Sequence, residues 1–173
     1  ARARTLVQNA DVLAGGTRHL AMVPDDGRER LAWCQPVSAY VAGIMAQRGR
    51  NVCVLATGDP LHHGIGVQLA EQVDISEMSI IPAPSAFALA AARMGWSWAG
   101  VETLTLHGRP TATLERHIQP GARLLILSDS PDTPRLVAES LSARGFGDST
   151  ITVFEHMGGD QERRLDSLAR SWN

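Results

Sequence analysis

Thr57, Gly58, Asp59 and Pro60, followed by His62, His63, Gly64 and Gly66, are the residues in this sequence best placed to do chemistry. They follow directly on a short apolar run, Val52 to Ala56, and precede a segment with helical spacing. A buried strand of an open α/β sheet ends in this way, and such sheets bind ligands just beyond the carboxyl ends of their strands. Gly58 lets main chain approach a ligand with no Cβ in the way. Asp59 either touches a ligand or braces the turn. His62 and His63 can exchange a proton near neutral pH. As sequence neighbours they are expected to point in different directions, which argues against a metal pair, and no Cys/His metal spacing occurs elsewhere.

These residues need elements to hold them. Ala3–Asn9 has helical character, and Asp11–Ala14 before Gly15-Gly16 reads as a short strand and turn. An α/β domain that opens on a helix is expected to lack the strand before it. Arg28–Trp33 carries no clear period. Ser38–Arg48 is a helix whose apolar face holds Val37, Val41, Ile44 and Met45, closed by Gly49. Gly64–Val73 is a helix with Ile65, Leu69 and Val73 on one side. Met78–Ile81 reads as a strand that Pro82 and Pro84 end, and Ser85 is a natural N-cap for a helix over Ala86–Met94. Val101–Leu106 alternates as a strand, Thr111–Ile118 is helical, and Ala122–Leu127 is an apolar strand. Thr133–Arg144 is a helix, Thr150–Phe154 a strand, and Asp160–Arg164 a charged stretch. Alternating strands and helices define an α/β class. The run Gly95–Gly100 is the best linker, which divides the chain into 1–98 and 99–173.

Composition narrows the function. Of 173 residues 44% are hydrophobic and 20% charged, which suffices for an ordinary core. No apolar stretch nears the roughly 18 residues of a membrane span, and no signal-peptide pattern opens the chain. Net charge is −2 with no long basic run, so a nucleic-acid footprint is not indicated. Cys34 and Cys53 are far apart, which suits a reducing cytoplasm. A dinucleotide fingerprint, which a nucleotide-binding oxidoreductase on a similar sheet needs, is not visible.

Three motifs stand in register: Thr57-Gly58-Asp59-Pro60 with Gly64, Ala83-Pro84-Ser85-Ala86, and Leu106-His107-Gly108-Arg109. With the runs GDPLHHGIG, PAPSAFALAAARMGW, VETLTLHGRP and FEHMGGDQERR, the chain resembles the tetrapyrrole (corrin/porphyrin) methyltransferases from about Asp11 to about Arg164. The likeness is strongest to the branch that methylates C5 of a precorrin in cobalamin biosynthesis.

The resemblance implies two small α/β/α domains with an S-adenosylmethionine cleft between them. It implies cofactor contacts at Gly58, Asp59, Pro60, Gly64, Ser85 and Ala86, and more loosely at Leu127, Ser128 and Phe154–Met157. His62 or His63 would remove a proton after methylation. Arg109, with His107, would hold carboxylates of a precorrin or cobalt-precorrin, and Arg93 and Arg18 are weaker candidates. Trp96 and Trp98 could stack on a macrocycle, though packing accounts for them more simply.

No membrane or nucleic-acid partner is expected; a homodimer is. The family's opening strand with its glycine-rich loop has no match here. In the two-domain version a further domain carries out C15 methylation and decarboxylation. The chain therefore reads as a fragment. The alternatives are another methylase of this fold, of diphthine synthase or ribosomal RNA ribose methylase type, or a truncated cofactor-binding module without activity.

Overall fold

The structure, a computed structural model, describes residues 2–172. The chain divides between Ala83 and Pro84 into two compact units. The first contains α1 (Arg2–Gln8), β1 (Val12–Gly15), α2 (Thr17–Ala21), β2 (Glu29–Ala32), α3 (Val37–Met45), β3 (Val52–Leu55) and α4 (Ile65–Ala70). Its strands form a parallel sheet in the order β2-β1-β3, with Val12 opposite both Glu29 and Val52. Val12, Leu13 and Ala14 of the central strand are fully buried. A parallel strand covered on both faces needs such an unbroken apolar run.

Alternate residues of β1 serve opposite faces. Ala14 packs with Tyr40, Val41, Ile44 and Leu69 from α3 and α4. Leu13 packs with Ala10 and Leu20, against Val7, Val23, Cys53 and Leu55.

Arg28–Trp33 proves to contain β2. Its period is hidden because two arginines serve the helices rather than the sheet. Arg28 Nη1 donates to the Ala10 carbonyl at 3.1 Å. Arg30 donates to the carbonyls of Leu20 at 2.7 Å, Val23 at 3.1 Å and Pro24 at 2.6 Å. These carbonyls follow α1 and close α2, where helix ends leave acceptors unpaired and favour cations.

Met78–Ile81 forms no strand. Asp74 Oδ1 accepts from the Ser76 amide at 2.8 Å and caps a 3₁₀ turn over Ile75–Glu77. Met78 then packs against the Ala14 cluster. Its apolar character serves that cluster, and the prolines at 82 and 84 lack the amide a ladder requires.

The second unit holds α5 (Ala86–Met94), β4 (Glu102–Thr105), a 3₁₀ helix at Thr111–His117, β5 (Leu124–Leu127), α6 (Thr133–Ala143), β6 (Thr150–Glu155) and β7 (Arg163–Leu168). β4 and β5 pair in parallel, and β6 and β7 form an antiparallel hairpin. The charged stretch at 160–164 therefore leads into a strand. Leu104, Leu106, Leu114, Ile118 and Val137 form one core. Phe87, Ala90, Ala91 and Leu125 form another, against Trp96, Val101, Leu127, Phe154 and Met157.

Because α5 packs into that second core, the division falls ahead of the 98/99 boundary expected from the glycines. The run Gly95–Gly100 is a turn inside the unit. Gly95 ends α5 in the left-handed region (φ 64°), and the Arg123 guanidinium lies 5.6 Å from the Trp96 ring centre.

One ion pair ties α5 to the hairpin turn. The Arg93 guanidinium donates to both carboxylate oxygens of Glu162 and to the Leu89 carbonyl at 3.3 Å. Glu162 Oε2 also accepts from the Gly158 amide at 2.6 Å. Arg93, and after it the Gly158 amide, pull the Glu162 carboxyl from 4.5 down to about 2. A depressed carboxylate stabilises the fold above its unfolded value, and the contribution fades as pH falls through the folded one. The Glu162→Gln variant should therefore lie below the wild type in urea midpoint at neutral pH. The gap should close between pH 4.5 and about 2. A gap unchanged across that window would show that the carboxylate charge does not stabilise this contact.

Candidate functional site

In the first unit the chain passes from β2, on one side of β1, to β3 on the other. Ligands bind beyond the carboxyl ends at such a switch. The segments there are Gly15–His19, Trp33–Pro36 and Thr57–Gly64. Trp33 extends the sheet, its amide donating to the Gly15 carbonyl at 2.9 Å.

The loop after β3 is tightly determined. Gly58 has φ 60°, and its carbonyl accepts from the Ala83 amide at 3.1 Å. Asp59 Oδ1 accepts from the Leu61 amide at 2.9 Å, an Asx turn, and the Asp59 carbonyl accepts from the His62 amide at 3.1 Å. The Pro60 carbonyl accepts from the Gly66 amide at 3.0 Å. A Cβ placed on Gly64 or on Gly66 would stand 2.7 Å from that carbonyl oxygen. Both glycines are therefore fixed by the approach of Pro60, and Gly64 opens α4 as its N-cap.

His62 and His63 do not point apart as expected. Their ring centres are 5.3 Å apart at 33°. The cause is the backbone of His63, whose φ of 60° turns its side chain back toward its neighbour. Among the described residues no third His, Cys, Asp or Glu joins them as a metal set.

One residue outside the expected set, His19, completes this end of the sheet. His19 Nε2 lies 2.9 Å from Thr57 Oγ1. Burial, and then the charge of Arg18, lower the His19 imidazole below its ordinary value. The sequence signal is the apolar run before Gly15-Gly16, the same strand-to-glycine transition as at Leu55–Gly66.

The candidates of the second unit lie at two places. Ser85 Oγ accepts from the Ala88 amide at 3.2 Å, which makes it the N-cap of α5, with Ala86 the first helical residue. The loops after β4 and β5 carry the rest. The Leu127 carbonyl accepts from the Leu106 amide at 2.9 Å, and the Leu127 side chain belongs to the Phe87 core. Leu127 is half-buried, while the neighbouring Ser128 is exposed.

His107 Nδ1 lies 3.2 Å from Asp129 Oδ1, which also accepts from the Gly108 amide at 2.9 Å. Asp129 in turn rests on Thr133, 4% exposed, whose hydroxyl oxygen accepts from the amides of Asp129 at 3.1 Å and Ser130 at 3.0 Å. Arg109 follows, exposed. Arg93 is committed to Glu162 and Trp96 to the core, whereas Trp98 is 52% exposed.

A family model described as Tetrapyrrole (Corrin/Porphyrin) Methylases matches residues 1–171. The chain is 40% identical over 168 residues to a precorrin-6Y C(5,15)-methyltransferase (decarboxylating) of Sinorhizobium sp, covering 96% of this chain and 41% of that one. It thus spans about two fifths of that relative's length. It is 34% identical to the cobalt-precorrin-7 C(5)-methyltransferase of Salmonella typhimurium, covering 91% of this chain and 77% of that one.

Among solved structures it matches the precorrin-6Y methylase of Archaeoglobus fulgidus with a TM-score of 0.71 and 29% identity, over 99% of this chain and 83% of that one. It shares the fold of the uroporphyrin-III C-methyltransferase of Thermus thermophilus, solved with S-adenosylhomocysteine: TM-score 0.71, 18% identity, 97% of this chain and 80% of that one.

The loop geometry makes a direct prediction. Gly66→Ala places its methyl against backbone that cannot step aside. A change of this kind should cost about 1–3 kcal/mol, as overpacking does. Gly43→Ala, on α3 with open space around it, should be neutral or slightly stabilising. Urea unfolding of both variants checks the contrast; equal midpoints would show that the Pro60 approach is not restrictive.

Proposed function

This chain belongs to the tetrapyrrole (corrin/porphyrin) methylases, and on that premise we propose that it binds S-adenosylmethionine and methylates C5 of a precorrin intermediate in cobalamin biosynthesis. The observation that carries the reading is the likeness, at 40% and 34% identity over nearly the whole chain, to enzymes named for C5 methylation. Those names cover both a precorrin and a cobalt-precorrin, and the proposal takes the substrate as a macrocycle of that class.

The residues fit the cofactor. Gly58 presents bare backbone at a strand's carboxyl end. Asp59 uses Oδ1 on the Leu61 amide, and Oδ2 has no partner among the described residues, which suits an ammonium group. Ser85 accepts from the helix through Oγ and keeps its hydroxyl proton to donate.

The cofactor's sulfonium supplies an activated methyl together with its own leaving group. What the protein then contributes is alignment and exclusion of water. The proposed cofactor contacts are Gly58, Asp59, Pro60 and Gly64 in the first unit and, taken separately, Ser85, Ala86, Leu127 and Ser128 in the second. Arg109 and His107 pair with substrate carboxylates, where a guanidinium can bond bidentately. His62 or His63 accepts the proton that the methylated carbon framework releases.

We read the working form as a cytoplasmic homodimer. Cys34 and Cys53 are both free, which supports a reducing compartment. The length of the Sinorhizobium relative supports a further C15-methylating, decarboxylating domain in a longer protein.

Titration calorimetry tests the cofactor. S-adenosylhomocysteine should bind saturably to the wild type, with NAD inert. Gly58→Val, a β-branched residue at φ 60°, should abolish binding, and Asp59→Ala should weaken it about tenfold or more. Transfer of labelled methyl to a precorrin substrate then tests the reaction. Binding of NAD in place of S-adenosylhomocysteine would refute the assignment.

A further inference from the structure

The loops leaving β1 and β3 are joined by a side-chain contact across 38 positions of sequence, His19 Nε2 to Thr57 Oγ1 at 2.9 Å. Three features show that the imidazole is seated rather than incidental. First, the backbone beneath it is bare. A Cβ on Gly15 would come within 3.5 Å of His19 Cβ and 3.1 Å of Leu55 Cβ, and one on Gly16 within 3.4 Å of His19 Nδ1.

Second, the turn that carries it is anchored. Leu20 is 8% exposed in the Leu13 cluster, and its carbonyl is held by Arg30 at 2.7 Å. Third, the imidazole is kept neutral by burial, with Arg18 acting in the same direction. The contact therefore adds no positive charge beside a loop that receives a cation. On the far side Thr57 is exposed and lies two residues beyond the end of β3. It precedes Gly58, whose left-handed backbone sets the path of the loop.

We propose that His19 is a positioning residue of the cofactor loop: its hydrogen bond to Thr57 fixes the hydroxyl and the start of the Thr57–Pro60 turn in the form that receives S-adenosylmethionine. This rests on the methyltransferase reading above. The neutral ring offers one donor and one acceptor nitrogen. The hydroxyl oxygen therefore has a defined partner, and its remaining capacity points at a ligand instead of rotating freely.

The test is calorimetric titration of the full chain with S-adenosylhomocysteine, in the wild type and in His19→Leu, Thr57→Val, the double variant and Thr57→Ser. Each of the first two should weaken binding about tenfold, the scale of one hydrogen bond. The double variant should be no weaker than the worse single one, because both remove the same contact. Thr57→Ser, which keeps the hydroxyl, should bind close to the wild type. Thermal melts separate positioning from folding. Thr57 is exposed, so Thr57→Val should melt near the wild type and carries the test by itself if His19→Leu is unstable.

Wild-type affinity in His19→Leu, losses that multiply in the double variant, or failure of Thr57→Ser to bind would each overturn the proposal. All three would leave the cofactor assignment standing. A wild type that binds no S-adenosylhomocysteine would overturn both.

Discussion

The carbonyl oxygen of Pro60 occupies space that a side chain at position 64 or 66 would need. From that close approach follow the path of the Thr57–Gly64 loop and the point at which α4 begins. The loop is closed by main-chain bonds from Gly66 to Pro60 and from Ala83 to Gly58. Its shape therefore survives changes in the side chains between them.

The two units solve the same problem with different chemistry. In each, parallel strands deliver adjacent loops to one end of a sheet, and a side chain from one loop pins the other. In the first unit a neutral imidazole meets a hydroxyl, His19 with Thr57. In the second a carboxylate, Asp129, gathers the Gly108 amide and His107 while Thr133 supports it from below. The first arrangement adds no charge near its loop. The second places a negative group beside His107 and leaves Arg109 as the cation that faces outward.

Much of this was legible in the sequence where one element answers to one demand. β1 and β3 are apolar because a parallel strand is covered on both faces. Ser85 and Gly95 bracket α5 as cap and stop, and the glycines after Leu55 announce the turn. Legibility failed where a residue serves a distant partner. Arg30 of β2 spends its guanidinium on the end of α2, and Arg28 just before the strand sends Nη1 to the carbonyl of Ala10 after α1, so that segment shows no alternation. Met78 answers to a helical cluster and not to a strand neighbour. The unit boundary depends on what α5 packs against, which is invisible in Gly95–Gly100 itself. The contact of His19 with Thr57 spans 38 positions, and nothing local to either residue reveals it. The turned-back ring of His63 depends on a backbone angle that histidine rarely adopts.

β2 has a further consequence, for colloidal behaviour. It is the outer strand of its sheet, and such strands are templates for unwanted pairing between molecules. Here Arg30 is drawn inward to the α2 carbonyls, while Glu29 accepts from Gln47 at 3.2 Å and Arg50 at 2.5 Å. A foreign strand laid along this rim would have to strip a carboxylate and a guanidinium of their partners. Arg30, which helps hide the strand from a reader of the sequence, thus works with Glu29 against such pairing.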